Sequence, residues 1–292
     1  MRKIGIFGNG VGVSGISLID RLFRFLMRPD LEVYIDKDCY DVLSGALATA
    51  LPCSRVIESD CFDLDIAVSI GGDGTFLKTA ARIGDKGIPI LGINLGRLGF
   101  LADVGRNDME ETLDEIFKNY YRVEERTLLQ LCPERDKYLN TYNFALNEVA
   151  IMKRDTSSML SIHTYIDGDY LTIYQADGLV IATPTGSTAY SLSVNGPILV
   201  PTASNLALTP IAPHSLNMRP LVIPDSCIVK IKVESRSNTF LVALDGRSEV
   251  FPAGLEFCVS KAPYTTKVIK RYSQTFFKTL SEKLMWGLDN RT

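Results

Sequence analysis

Histidine is scarce in this 292-residue sequence, with only His163 and His214, so a histidine-rich metal centre is excluded. The six cysteines, Cys39, Cys53, Cys61, Cys132, Cys227 and Cys258, include no CxxC pair and no metal-ligand spacing. In a chain of this length they read as reduced, mostly buried thiols. No block of Lys or Arg appears, and the formal net charge of -3 argues against a nucleic-acid partner and for a small molecule. No apolar run reaches the length of a signal core or a membrane span, and Met1 to Phe7 read as a strand. The expected location is the cytoplasm, with no membrane partner. Repeats and low-complexity segments are absent too.

What is present is an ordinary globular composition, 46% hydrophobic and 22% charged, in a chain long enough for two modest domains. The organising stretch is Gly71-Gly72-Asp73-Gly74-Thr75, directly after the apolar run Ile66 to Ile70. With Phe76 to Ile83 behind it and Ile88 to Ile93 beyond, the pattern predicts strand, tight turn, helix, strand, a βαβ unit. Glycines at such a turn let a ligand approach bare backbone, and the helix start offers unpaired N–H groups, so this is a phosphate site. Asp73 is the exception within it. A carboxylate among phosphates is repelled unless it abstracts a proton or helps hold a divalent cation; the alternative is a turn in which Asp73 caps the helix.

Upstream, Gly10, Gly12 and Gly15 fit GxGxxG literally, after a strand (Lys3 to Phe7) and before a helix carrying Ile19, Leu22, Phe23 and Leu26. With Glu32, Asp36 and Asp38 about 20 residues on, this imitates a dinucleotide-binding fingerprint and keeps a hydride-transfer enzyme open as a rival. Leu31 to Ile35 predicts a second strand and Tyr40 to Leu51 a helix, making four strands up to Ile93 in a doubly wound, mainly parallel sheet. Asn94 to Leu101 is a second glycine-punctuated turn, read either as a ligand contact or as a packing loop. Asn107 or Asp108 caps a helix with Leu113, Ile116, Phe117 and Tyr120 on its apolar face.

From Leu128 the pattern alternates and is broken by turn dipeptides such as Asp167-Gly168 and Asp245-Gly246, which predicts a largely antiparallel β domain. Gln274 to Met285 returns to helical spacing with Phe276, Phe277, Leu280 and Leu284 on one face, a helix that packs back on the first domain. The expected fold is thus α/β plus β: residues 1–103 with 271–292 form a Rossmann-like parallel domain, and 104–270 form an antiparallel β-rich domain. The active crevice is expected between them.

Inside the β domain, Asp177 to Ser193 (DGLVIATPTGSTAYSLS) is followed by Gly196-Pro197. Thr185 and Ser187 can cap a short helix, hydroxyls and N–H groups from Gly186 to Ser193 offer donors to phosphate or ribose oxygens, and Tyr190 offers a ring for stacking on a base; the alternative is a capped helix without ligand.

Together with Gly71 to Thr75, this stretch closely resembles the NAD kinase family, whose members phosphorylate the adenosine-ribose 2′-hydroxyl of NAD. The similarity spans most of the chain, including Asn94 to Leu101, Asn147-Glu148 and Pro213 to Leu216 followed by Arg219-Pro220. Gly-Gly-Asp-Gly-Thr alone is shared with lipid kinases and phosphofructokinases, so other kinases of that type remain alternatives on that motif.

The resemblance implies NAD and ATP as substrates and Asp73 as the general base. It also implies that Gly71, Gly72, Gly74 and Thr75 face the donor phosphates, and that Asn147, Glu148, Asp177, Thr188, Ala189, Tyr190, Ser191, Leu192 and Ser193 hold NAD. Phe100, Lys78, Gln175, Ala212 and Arg247 fall where relatives contact substrate, Gln175 at a frequently basic place and Arg247 at a frequent amide. His214 reads as a structural donor. No protein cage for a metal is visible, so a divalent cation, Mg2+, is expected to come with ATP. Relatives are homo-oligomers, and a homodimer or homotetramer is expected.

Overall fold

Three segments of the first unit bury every residue or nearly so: Ile4 to Gly8, Ile66 to Ile70 and Ile90 to Ile93. Strands covered on both faces read that way, and parallel sheets are built from them. The computed structural model describes residues 1–8, 13–46, 51, 55–96, 99–133, 142–154 and 159–285. It divides the chain into two units, Met1–Glu125 with Thr266–Thr292, and Arg126–Thr265.

The first unit runs β1 (Arg2–Gly8), α1 (Val13–Leu26), β2 (Leu31–Asp36), α2 (Lys37–Ala46), β3 (Arg55–Ile57), β4 (Ile66–Ile70), α3 (Asp73–Ile83), β5 (Ile90–Ile93) and α4 (Met109–Phe117). The strands pair in parallel in the order β5-β4-β1-β2-β3. The order reverses between β1 and β4, so the turn after β4 lies at the switch point where open α/β sheets take ligands. β3 is a strand that the pattern did not predict; three residues are too short to carry a period. Leu18, Ile19, Leu22, Phe23 and Leu26 of α1 share one core with Met109, Leu113 and Ile116 of α4. That shared core is why the unit extends to Glu125 rather than ending at 103 as read from the sequence. Gly10 and Gly12 lie outside the described residues.

The second unit takes up β6 (Arg122–Pro133), which begins in the first, then β7 (Phe144–Ala145), β8 (Glu148–Lys153), β9 (Leu160–Ile166), β10 (Asp169–Ala176) and β11 (Gly178–Ala182). It continues through the single-turn helix α5 (Tyr190–Ser193), β12 (Asn205–Ile211), β13 (Leu221–Pro224), β14 (Val229–Glu234), β15 (Thr239–Leu244), β16 (Arg247–Pro252) and β17 (Glu256–Lys270). One antiparallel sheet is ordered β13-β12-β11-β8-β15-β16, and β10-β9-β14-β17 pair antiparallel beside it. Alternate residues from both sets, among them Val149, Ile151, Ile181, Phe240, Val242, Ile231 and Phe257, form the core. On the other face of β8, β11 and β15 the residues are small, Ala150, Val180, Ala182 and Ala243, and Tyr190 and Val194 pack on them. Small side chains there let the 186–194 segment lie close to the sheet.

The last residues of β17 return to the first unit, Val268 pairing in parallel with Ile90 of β5. Then α6 (Phe276–Leu284) follows, capped by the Thr275 hydroxyl, which accepts from the Lys278 N–H. Phe276 is half-buried, but Phe277 is 65% exposed and the buried residue is Thr279. Phe277 therefore does not join the inward face: it sits about 100° round the helix from Phe276. Of the five described cysteines only Cys39 is buried; Cys61 and Cys132 are exposed, which corrects the expectation of mostly buried thiols.

Candidate active site

The turn after β4 begins at Gly71, whose φ of 152° puts it in a conformation that side chains disfavour. The cap of α3 is Gly72, with no side-chain cap, so the capping alternative for Asp73 fails. The Asp73 carboxylate reaches instead to the 99–102 loop. Oδ2 accepts from the Phe100 N–H at 3.0 Å, and Oδ1 accepts from Leu101 at 3.1 Å and Ala102 at 3.0 Å. Three consecutive backbone donors thus fix its orientation. The loop is held from its other side by Lys270, whose ammonium donates to Asp103 at 2.6 Å and to the Phe100 carbonyl at 3.4 Å; both side chains of that ion pair are buried. Asn94 closes it, its Oδ1 accepting from the Gly96 N–H and its Nδ2 donating to the Ala102 carbonyl. Asn94 to Leu101 is therefore a packing loop as well as a neighbour of Asp73; Arg97 and Leu98 lie outside the described residues. Lys78 is exposed on α3.

A Cβ added at Gly72 or Gly74 would meet nothing within 4 Å. Packing does not require glycine at either place, which leaves the bare backbone free for a ligand. If the turn takes phosphates, as its sequence implies, Ala at position 72 or 74 is expected to keep the melting temperature within about 2 °C yet lower turnover at least about tenfold, because the ligand would meet the new methyl. Equal turnover with unchanged melting would show that no ligand approaches there.

In the second unit Asp245 repeats the device of Asp73. It sits with Gly246 in a two-residue turn, both at positive φ, between β15 and β16. Its carboxylate accepts from the N–H groups of Leu146 and Asn147, each at 2.8 Å, and of Glu148 at 3.3 Å. Sequence reading took Asp245-Gly246 as a turn only, and nothing local to the dipeptide signals the three N–H groups its carboxylate meets. Asn147 and Glu148 are both buried, and the Asn147 carbonyl accepts from the Thr183 N–H. Oε2 of Glu148 makes no hydrogen bond among the described residues. Burial, and then the neighbouring Asp245, push the Glu148 carboxyl up to about 8, against the Tyr190 N–H, which lowers it. Burial raises Asp245 too, opposed by its three N–H donors and Arg247.

A folded-state value above the ordinary 4.5 gives stability that is fully present below about pH 4.5 and lost as pH climbs to about 8, on the order of a few kcal/mol. Glu148→Gln should therefore melt at a higher temperature than the parent, by a margin that grows between about pH 5 and 9. A margin independent of pH would contradict this.

The 3-10 turn Gly186–Thr188 is capped by Thr183, whose hydroxyl accepts from the Gly186 N–H, and not by Thr185 or Ser187. Ser187 is buried, donating to the Pro184 carbonyl and accepting from the Leu199 N–H, so it offers nothing outward. The Ser191 hydroxyl is likewise 3.3 Å from that of Thr209. Thr188, Ala189, Tyr190 and Leu192 are half-buried, and Ser193 is exposed. Asp177, between β10 and β11, pairs with Lys153 at 2.8 Å, and its N–H donates to the Ile211 carbonyl. Next to that carbonyl, Ala212 is exposed at φ 43°, and the carbonyl of Gln175 accepts from the His214 N–H. The Gln175 side chain takes the Ser161 hydroxyl. Arg247 is committed, donating to the carbonyls of Tyr142 and Phe144.

The structure thus gathers Gly71 to Thr75 with Phe100 in one unit and Asn147, Glu148 and Tyr190 in the other, where Glu148 pairs with Ala182. Asp177, Gln175 and Ala212 lie at the opposite end of the β8–β11 pair, beside Lys153 and Ile211. Residues 4–121 match the family model of the ATP-NAD kinase N-terminal domain, and residues 146–271 match that of the ATP-NAD kinase C-terminal domain. The chain belongs to the ATP-NAD kinase family. An NAD kinase of Bacteroides fragilis is 52% identical over 289 residues, 99% of both chains, and one of Cytophaga hutchinsonii is 41% identical over 280 residues, 95% of this chain and 96% of that one. The crystal structure of yeast NADH kinase complexed with NADH superposes with a TM-score of 0.89 at 25% identity, covering 100% of this chain and 89% of that one. An NAD kinase from Archaeoglobus fulgidus in complex with ATP gives 0.76 at 25% identity, covering 98% and 99%. These matches favour an NAD kinase phosphotransferase over the lipid-kinase, sugar-kinase and dehydrogenase readings. Among the described residues no helix is long and apolar enough to cross a membrane.

Proposed function

We propose that the enzyme transfers the terminal phosphate of ATP to the adenosine-ribose 2′-hydroxyl of NAD, with Asp73 receiving the hydroxyl proton. The observation that carries this reading is the Asp73 carboxylate itself: at the first turn of α3, beside two glycines with open space, and oriented by three N–H donors. Oδ1 is filled by two of them, which leaves Oδ2 as the oxygen with capacity to accept from a substrate hydroxyl. Gly71 to Thr75 face the donor phosphates, where the start of α3 presents free N–H groups.

In the second unit the dinucleotide is held by Asn147, Glu148, Asp177 and Thr188 to Ser193, with Gln175 and Ala212 as further contacts; in the first unit Phe100 and Lys78 are substrate contacts. Support comes from Glu148 Oε2, a buried acceptor that lacks a partner among the described residues and suits a ribose hydroxyl or amide donor. The Arg247 guanidinium, spent on two carbonyls, acts by shaping the Tyr142–Phe144 segment.

Phosphoryl transfer needs positioning and charge neutralisation. Among the described residues no three His, Cys, Asp or Glu side chains are grouped to hold a metal, and both Asp73 oxygens already take N–H donors. Such a donor set fits a cation, Mg2+, that arrives on the donor phosphates and offsets their charge there. The proposal extends to a cytoplasmic homodimer or homotetramer, paired through exposed β edges.

The test is a coupled assay with purified protein, ATP, magnesium and NAD, read by a dehydrogenase strictly dependent on NADP. NADP should accumulate and stop when magnesium is omitted. NAD binding without NADP formation from ATP or polyphosphate would overturn the reading.

A further inference from the structure

The Asp73 carboxylate has about four acceptor positions, and three are filled by backbone N–H groups. The cation recorded against it is Lys283, on α6, with Nζ 3.5 Å from Oδ2. The same ammonium lies 4.4 Å from the centroid of the Phe100 ring, and Phe276, about two turns back on the same helix face, lies 6.2 Å from that ring. α6 therefore touches both the carboxylate and the residue whose N–H the carboxylate accepts.

Two lysines approach this loop, and they differ in kind. Lys270 and Asp103 are 6% and 7% exposed and 2.6 Å apart, a closed structural pair. Lys283 and Asp73 are 32% and 30% exposed and at the limit of hydrogen-bond length, so this pair is open to solvent and to exchange. Nor does α6 depend on Lys283 for its place. Arg271 grips Glu115 through two hydrogen bonds and pairs with Glu111, Thr279 is buried, and Thr275 caps the helix start.

We propose that Lys283 is a positioning residue of the phosphoryl-transfer site, which holds Oδ2 of Asp73 and offsets its negative charge where the donor phosphates arrive. The inference rests on the kinase reading above. A polyphosphate that approaches a bare carboxylate is repelled; an ammonium within contact of Oδ2 cancels that charge and is itself attracted to the phosphates. When the acceptor hydroxyl takes the open position on Oδ2, the ammonium is released toward the donor side while Phe100 keeps it over its ring face.

Lys283→Met keeps an unbranched side chain of nearly the same length and removes the charge, and Lys283→Arg keeps the charge. With Met, KM for ATP is expected to rise about tenfold while KM for NAD stays within about twofold and melting is unchanged; Arg should restore most of the ATP affinity. Titration of inorganic tripolyphosphate, without NAD or turnover, should weaken by a similar factor in the Met variant, a readout independent of catalysis. An active Met variant with unaltered ATP KM overturns the role of Lys283. So does a parallel rise of both KM values with a fall in melting temperature that Arg does not restore. A wild-type protein that forms no NADP overturns the kinase reading instead.

Discussion

Asp73→Asn is expected to lower turnover by roughly 100-fold or more while NAD binding persists, the scale on which loss of a general base is felt. The structure adds a second, smaller effect. Asn keeps one acceptor oxygen, but its amide turns N–H donors toward a loop that presents three N–H donors of its own. Leaving one of those unpaired costs about 1–3 kcal/mol, so the variant should also melt a few degrees lower. The two losses separate by readout: calorimetric NAD affinity reports the proposed dinucleotide site, melting reports the loop, and kcat reports the proposed base. Turnover within about threefold of the parent would remove Asp73 from the chemistry, whatever happened to the melting curve.

The other large effect lies at Gly186. A Cβ there would fall on the backbone carbonyl, carbon and Cα of Asn147, atoms that cannot step aside as a flexible side chain can. Asn147 is pinned from both sides, its N–H to Asp245 and its carbonyl to the Thr183 N–H. Gly186→Ala must therefore displace either the 183–193 segment or the Asn147-Glu148 strand end. Overpacking against backbone costs about 1–3 kcal/mol, and the expected result is a melting temperature lower by roughly 3–10 °C and NAD affinity reduced tenfold or more. Normal NAD affinity in this variant would mean that neither segment forms part of the dinucleotide site.

Much of this could be read in advance, and the failures share a cause. Gly71 to Thr75 stood out because a carboxylate among glycines has few structural explanations, and the strand before it carried an unbroken apolar run. Asp245 did not stand out, because Asp-Gly at a hairpin is already explained as a turn; that its carboxylate also accepts from three N–H groups a hundred residues away depends on tertiary contacts with no local trace. The same holds for the 99–102 loop, whose partner could only be found in space. Thr185 and Ser187 were expected caps by residue type, but the hydroxyl that caps belongs to Thr183, two residues earlier than Thr185, at the strand end. On α6 the apolar residues were identified and the face was off by one position, since two adjacent phenylalanines cannot both point inward. The first unit's limit was missed for a similar reason: α4 looks the same wherever it packs.

The unit that carries Asp73 is assembled from chain on either side of Arg126–Thr265. During synthesis its parallel strands emerge first, yet Val268, Lys270 and Lys283 come only after the intervening β residues, a delay on the order of ten seconds at ribosomal speed. Until then Asp103 lacks Lys270, Asp73 lacks Lys283, and Ile90 of β5 lacks its Val268 partner. The second unit, continuous in sequence, can finish before the first does. On the proposed reading, catalytic competence is in this way tied to completion: the ammonium that meets Asp73 is made only after the whole of the second unit.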